Sequence, residues 1–172
     1  MEKGKISINT ENIFPIIKKA VYSDHEIFLR ELVSNSVDAI SKRRMVSIAG
    51  ECENSENPQV NILINREENT LTISDNGIGM TDEEIKKYIN QVAFSSAEEF
   101  LEKYKKDNDE FIGHFGLGFY SSFMVSEKVE IITKSAVKNK KAFKWSCDGS
   151  PSFTLKEIEK EDIGTDIILH LL

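Results

Sequence analysis

From Glu26 to about Ile48 the chain carries no glycine or proline, and at about 100° per residue Leu29, Leu32, Val33, Ala39 and Ile40 share one broad face. That spacing predicts one long helix, ending before Gly50. Glu31, Asn35, Asp38 and Lys42 form a narrow polar stripe beside the apolar face. An earlier helix is predicted from about Glu11 to Val21, capped by Asn9 or Thr10, with Pro15 tolerated near its first turn. Val60, Ile62 and Ile64 alternate with polar neighbours as in a strand, and Thr70 to Ser74 returns after an Asn/Arg/Glu-rich turn. Thr81-Asp82-Glu83-Glu84 reads as a capping box that opens another helix. Ala97 to Tyr104 is amphipathic, but the charged run from Lys105 to Glu110 cannot enter a core, so Gln91 to Ile112 reads as a mobile cover. Further strands are expected at Lys128 to Thr133, Lys141 to Ser146, Ser152 to Lys156 and Asp166 to Leu172, with Trp145 in the core. Helices early and antiparallel strands late imply an α+β fold, a two-layer sandwich of helices on a mostly antiparallel sheet.

Composition narrows the class. The 172 residues fit one domain, spanning 1–172, and 40% hydrophobic with 30% charged residues is ordinary for a globular chain. No apolar run approaches the roughly 20 residues that cross a bilayer, so no membrane is expected. Met1 to Lys5 leads straight into the short alternating piece Ile6-Ser7-Ile8 with no apolar leader, which points to the cytoplasm. Cys52 and Cys147 lack paired spacing, so both are expected to be reduced. The formal net charge of -7 argues against a nucleic-acid surface, and Lys138 to Lys141 reads as a solvated hairpin tip. His25, His114 and His170 share no metal-ligand spacing, and no serine-elbow or Cys/His nucleophile pattern occurs.

Three segments carry candidate chemistry. In the long helix, Glu31 could position or deprotonate a water beside bound phosphates, and the Asn35 amide oxygen could complete a magnesium shell that retains waters. The same stripe is also what plain amphipathicity gives, so the other two segments matter. In Asp75-Asn76-Gly77-Ile78-Gly79-Met80, an aspartate at a strand end can accept from an adenine amine, while glycines admit the base close to the backbone; alone, the motif is also a common turn. Gly113, Gly116 and Gly118 precede a helix starting near Phe119, where backbone N–H groups can face a phosphate. Phe115 and Phe119 read as packing residues. No Gly-x-x-x-x-Gly-Lys-Ser/Thr occurs, which excludes a P-loop, and the cluster does not follow a strand of a βαβ unit, which excludes a Rossmann fold. Thr165 beside Gly164 could reach the base or form an ordinary turn.

In this order the three segments resemble the gyrase, heat-shock, histidine-kinase and mismatch-repair (GHKL) ATPase superfamily. The spellings Ile27-Phe28-Leu29-Arg30-Glu31-Leu32-Val33-Ser34-Asn35, Ser74 to Met80 and Gly113-His114-Phe115-Gly116-Leu117-Gly118-Phe119-Tyr120-Ser121 are similar to the N-terminal ATPase domain of the heat-shock protein 90 chaperones, in their bacterial branch. The resemblance implies Glu31 as the water-activating base and Asn35 as the Mg2+-side ligand. It also implies Asp75 as adenine anchor with Gly79 and Thr165 beside it, and Gly113, His114, Phe115, Gly116, Leu117, Gly118 and Phe119 as the phosphate loop. Met80 and Phe119 would line the pocket, and Asp38 would belong to the same nucleotide site. The chain departs from the family at Asn90-Gln91-Val92-Ala93-Phe94-Ser95-Ser96, where many relatives carry Gly-Thr-Ile-Ala-Lys-Ser-Gly; two hinge glycines and a lysine of the lid are missing. Implied ligands are ATP, ADP and Mg2+. A fragment of a longer chaperone is expected, homodimeric when full length, acting on unfolded or partly folded clients and closing its lid with nucleotide; the isolated domain should be monomeric and hydrolyse ATP slowly. A sensor histidine kinase's catalytic domain would need a helical segment before Ile6, and a DNA-handling ATPase is disfavoured by the acidic charge.

Overall fold

The computed structural model describes residues 1–5, 26–94, 118–137, 141–150 and 152–172. The expected helix at 11–21, the piece at 6–8, the amphipathic run at 97–104 and the charged stretch at 105–110 lie outside them. Seven antiparallel strands form one sheet: β1 (Glu2–Lys5), β2 (Val60–Asn65), β3 (Thr70–Asp75), β4 (Ser126–Lys134), β5 (Ala142–Cys147), β6 (Ser152–Ile158) and β7 (Gly164–Leu171), in the order β1-β6-β5-β4-β7-β3-β2. Helix α1 (Ile27–Ile48), α2 (Asp82–Phe94) and the short α3 (Gly118–Ser121), which runs into a 3-10 turn at Ser122–Met124, complete the described fold. This is the expected α+β sandwich, and no helix among the described residues is long and apolar enough to cross a membrane.

Strand alternation sends Ile73, Ile131, Trp145, Leu155, Ile167 and Leu169 to the helix-covered face, where they join Ile27 and Leu32 of α1 and Ile85 of α2. Phe119 of α3 stands at the centre, its ring 5.8 Å from both Tyr88 and Trp145 and 6.1 Å from Phe123 in edge-on contacts. Trp145 is fully buried, as its alternating strand requires. The capping box closes reciprocally: the Thr81 N–H donates to Glu84 Oε1 at 3.0 Å and the Glu84 N–H to Thr81 Oγ1 at 3.2 Å.

Two differences from the sequence reading bear on function. Strand β7 begins at Gly164, so Thr165 lies inside the sheet, paired with Asp75 of β3, instead of in a turn. Strand β1, Glu-Lys-Gly-Lys, has no apolar side chain to announce it. It is held by ladder pairing to β6, and Gly4 passes so close to Phe153 that a Cβ there would stand 2.6 Å from the ring.

Candidate functional site

Asp75 ends β3 with its side chain on the helix side and is only 8% exposed. Its Oδ1 accepts from the Gly77 N–H at 2.8 Å, and the Ser36 hydroxyl and the Thr165 backbone N–H also donate to the carboxylate. Burial pushes its pKa up to about 6; the nearby Asp166 charge adds to the rise, while the Gly77, Ser36 and Thr165 bonds oppose it. Among the described residues no cation is one of the groups that set this value. The site therefore holds a buried carboxylate with acceptor capacity to spare.

The loop after Asp75 is fixed from every side. The Ile78 N–H donates to the Ala39 carbonyl at 3.0 Å, the Ala136 N–H to Ile78 O at 2.8 Å, and the Met80 N–H to Thr133 Oγ1 at 2.9 Å. Gly77 lies against α1, where a Cβ would come within 2.6 Å of the Ala39 backbone. Gly79 adopts φ +67, and a Cβ there would meet the Lys134 carbonyl at 1.9 Å, so only glycine fits. Buried Arg43 donates from Nε to Glu53 O at 3.0 Å and from Nη1 to Asn76 O at 2.9 Å, joining the second half of α1 to the same loop.

Between α1, this loop and the sheet lies a cavity of about 170 Å³. It falls below the range of about 300–1,000 Å³ typical of whole-ligand pockets, and so matches one flat ring system better than a complete nucleotide. Ile131 and Ile167 form an apolar floor; Asp75 and Thr165 supply polar groups at one end; Asn35, Asp38 and Lys42 of α1 stand with Gly79, Met80 and Tyr88 around the rest. The Thr165 hydroxyl lies 2.8 Å from that of Thr133.

Tyr88 joins the helices across the site. Asn35 Nδ2 donates to the Tyr88 hydroxyl at 2.9 Å, which leaves the amide oxygen as the atom available to a cation. Burial and the negative charge of Glu31 both push the Tyr88 pKa upward, so the phenol stays protonated. Glu31 is partly buried one turn from Asn35; burial raises its pKa and the adjacent Arg30 partly offsets that. It does not line the cavity, and Phe119, 1% exposed in the aromatic core, does not either. Gly118 begins α3, while Gly113, His114, Phe115, Gly116 and Leu117 lie outside the described residues.

The structure thus gathers Asn35, Asp38, Asp75, Gly79, Met80 and Thr165 around one cavity. Sequence reasoning missed Ser36, Arg43 and Tyr88. Ser36 and Arg43 lie within the arc of α1 that carries Leu32 and Ala39, so a polar residue at a core angle was the available signal. Tyr88 carried none beyond its place on the inner side of α2.

Comparison with known proteins agrees with this geometry. A family model described as histidine kinase-, DNA gyrase B- and HSP90-like ATPase matches residues 22–165, a span that includes every residue named around the cavity except Ile167. The chain is 61% identical over 171 residues to a Bacteroides fragilis protein named Chaperone protein HtpG, covering 99% of this chain and 25% of that one. A Porphyromonas gingivalis protein of the same name is 56% identical over 171 residues, with 99% and 25% covered, and one from Clostridium perfringens is 42% identical over 174 residues, with 99% and 28% covered. The chain therefore spans about a quarter of the length of these relatives. A match that runs through α1, the Asp75 loop and the sheet to Thr165 leaves one conclusion: the chain belongs to the histidine kinase-, DNA gyrase B- and HSP90-like ATPases.

Proposed function

We propose that this chain is the ATP-binding and ATP-hydrolysing domain of a longer cytoplasmic chaperone of the HtpG kind. The observation that carries the reading is Asp75, a carboxylate buried at the end of a largely apolar cavity with no cation among the described residues to satisfy it. Such a group selects a ligand that offers N–H donors from a flat apolar body, which describes adenine. Gly79, Met80 and Thr165 would frame the base, and Asp38 and Asn35 would stand toward the sugar and phosphates. Gly113, His114, Phe115, Gly116, Leu117, Gly118 and Phe119 would form the phosphate segment.

Hydrolysis needs a water aimed at the γ-phosphorus and a base for its proton; the β–γ bridging P–O bond breaks, leaving ADP and phosphate. Glu31 would accept that proton, and its partial burial, which raises its pKa, makes it a better base than a solvated glutamate. Mg2+ would supply charge neutralisation at the phosphates. Its fit rests on Asn35, whose oxygen is left over by the Tyr88 bond. Among the described residues no group of three His, Cys, Asp or Glu side chains could hold a metal, which suits Mg2+, an ion that keeps waters and phosphate oxygens as ligands. Homodimerisation and the binding of unfolded or partly folded clients would belong to the longer protein, with this domain alone monomeric and slow in turnover.

Calorimetric titration with ADP and Mg2+ tests the reading. The chain should bind ADP, and a folded Asp75→Asn variant should lose most of that affinity; unchanged affinity would remove Asp75 as the anchor.

A further inference from the structure

The sheet face turned away from the helices carries a second built surface. Lys3 and Lys5 of β1 pair with Thr154 and Ser152 of β6, and Thr154 pairs with Ser146 of β5, so these side chains share that outer face. With Lys128 of β4 they line a groove of about 620 Å³, within the range of ligand-binding pockets. Lys144 and Lys156 stand on the same face by register. Against these lysines are two carboxylates already engaged: Glu130 contacts Lys144 at 2.6 Å, and Asp148 accepts from the Ser150 N–H at 3.1 Å. Among the described residues Lys3, Lys5 and Lys156 have no carboxylate partner. A face with excess positive charge is unexpected on a chain of net charge -7.

We propose that this outer groove over β1, β6 and β5 binds an extended acidic polypeptide segment. Lys3 and Lys5, two apart on one strand, present charges about 6.6–7 Å apart, the spacing of alternate side chains in an extended peptide. Hydroxyls of Ser146, Ser152 and Thr154 lie between the lysines as donors to carboxylates or peptide carbonyls. A nucleic acid fits less well. The one aromatic at the groove among the described residues, Phe153, is 7% exposed and offers no stacking surface. Among the described residues the groove's cations are all lysines, point charges that suit dispersed carboxylates better than bidentate phosphate capture. Gly4 lets β1 lie close over the Phe153 ring, which a Cβ would meet at 2.6 Å.

The test uses fluorescence anisotropy with a labelled peptide of alternating glutamate and serine, beside a lysine-serine peptide and an oligothymidylate of equal length. The glutamate peptide should bind the 172-residue chain at low salt and be released near about 0.3 M salt, where the Debye length has shrunk to a few ångströms. Combined Lys3→Ser, Lys5→Ser and Lys128→Ser substitution should weaken it roughly tenfold, the sum of three exposed ion pairs. The variant should still melt cooperatively, with a midpoint lowered only slightly by loss of the Lys128–Glu130 contact, which shows that it is folded. Substituting Lys87, Lys141 and Lys160 by serine should leave peptide affinity unchanged. An equal loss in that control set, no binding of the glutamate peptide, or tighter binding of oligothymidylate would each overturn the proposal.

Discussion

Asp75 and Glu130 are both carboxylates with 8% or less of their surface exposed, on opposite faces of one sheet, and their environments drive them apart. At Asp75 burial wins: three hydrogen bonds do not offset desolvation, and the carboxyl is raised to about 6. At Glu130 burial also acts upward, but hydrogen bonds from Lys144 and His170, with the charges of Lys128 and Lys144, hold the carboxyl below its usual range. The lesson is that burial alone does not separate the two carboxylates; the presence or absence of a cationic partner among the described residues does. Glu130 is neutralised within the fold, Oε1 by His170 and Oε2 by the Lys144 ion pair, each at 2.6 Å. Among the described residues Asp75 retains unused acceptor capacity at a cost to stability, which is the ground for proposing it as a ligand anchor.

The largest effect expected concerns Glu31, a third carboxylate raised by burial. In the full-length protein Glu31→Ala should cut ATP turnover by about 10²–10⁴-fold while ATP still binds, since a general base acts on the attacking water. Steady-state hydrolysis beside calorimetric binding would show this split. Normal turnover would move the base elsewhere, Asp38 being the nearest alternative on the stripe.

Asp75→Asn sharpens the comparison directly. ADP affinity should fall about ten- to hundredfold, the loss of a hydrogen bond to a charged acceptor of about 1.5–3 kcal/mol. Stability should move the other way. A carboxyl raised from 3.8 to about 6 binds its proton more tightly in the folded than in the unfolded chain, so stability falls as pH rises from about 4 to 6 and is flat above. Removing the charge should therefore stabilise the ligand-free chain at neutral pH by about 1–3 kcal/mol. Denaturant titrations at pH 5 and 7.5 would detect both the gain and its loss on acidification.

Glu130→Gln should do the opposite. Nucleotide affinity should be unchanged, while stability drops by about 1–2 kcal/mol as Lys144 and His170 lose a charged acceptor. Because this carboxyl is lowered on folding, its contribution is present above about pH 4.5 and is lost as pH falls through the lowered value. The parent should lose its advantage over the variant only in acid, a pH dependence reversed from that at Asp75. Tyr88→Phe carries the smallest effect: without its 2.9 Å bond the Asn35 amide can rotate, and Mg2+-dependent ATP affinity should fall a few-fold, about 0.5–1.5 kcal/mol. Titration with and without Mg2+ would separate that from a loss of base binding.

Much of this arrangement was legible in the sequence because its causes are local. A glycine-free periodic run gave α1 to within a residue, and alternation gave β2 through β7 to within about two residues at either end. The Asp75 motif was readable because glycines at 77 and 79 mark where backbone must approach backbone, although the reason, contact with Ala39 and Lys134, is tertiary. Thr165 could not be assigned from its neighbours, since Gly164-Thr165 spells a turn and only its pairing with Asp75 makes it a strand. Arg43 and Ser36 were hidden for the converse reason. Their polarity placed them at the surface by rule, while carbonyl and carboxylate partners distant in sequence allow them to be buried. Strand β1 had no pattern to read, because an edge strand held by backbone bonds needs no apolar alternation.

The central claim is that buried Asp75, with no cationic partner among the described residues, receives the base of a nucleotide. A crystal structure of this chain with ADP and Mg2+ tests it most directly. The account predicts the adenine ring between Met80 and the Ile131–Ile167 floor, with its amine within hydrogen-bond distance of the Asp75 carboxylate. A base bound elsewhere, with Asp75 still contacted only by Ser36, Gly77 and Thr165, would contradict it.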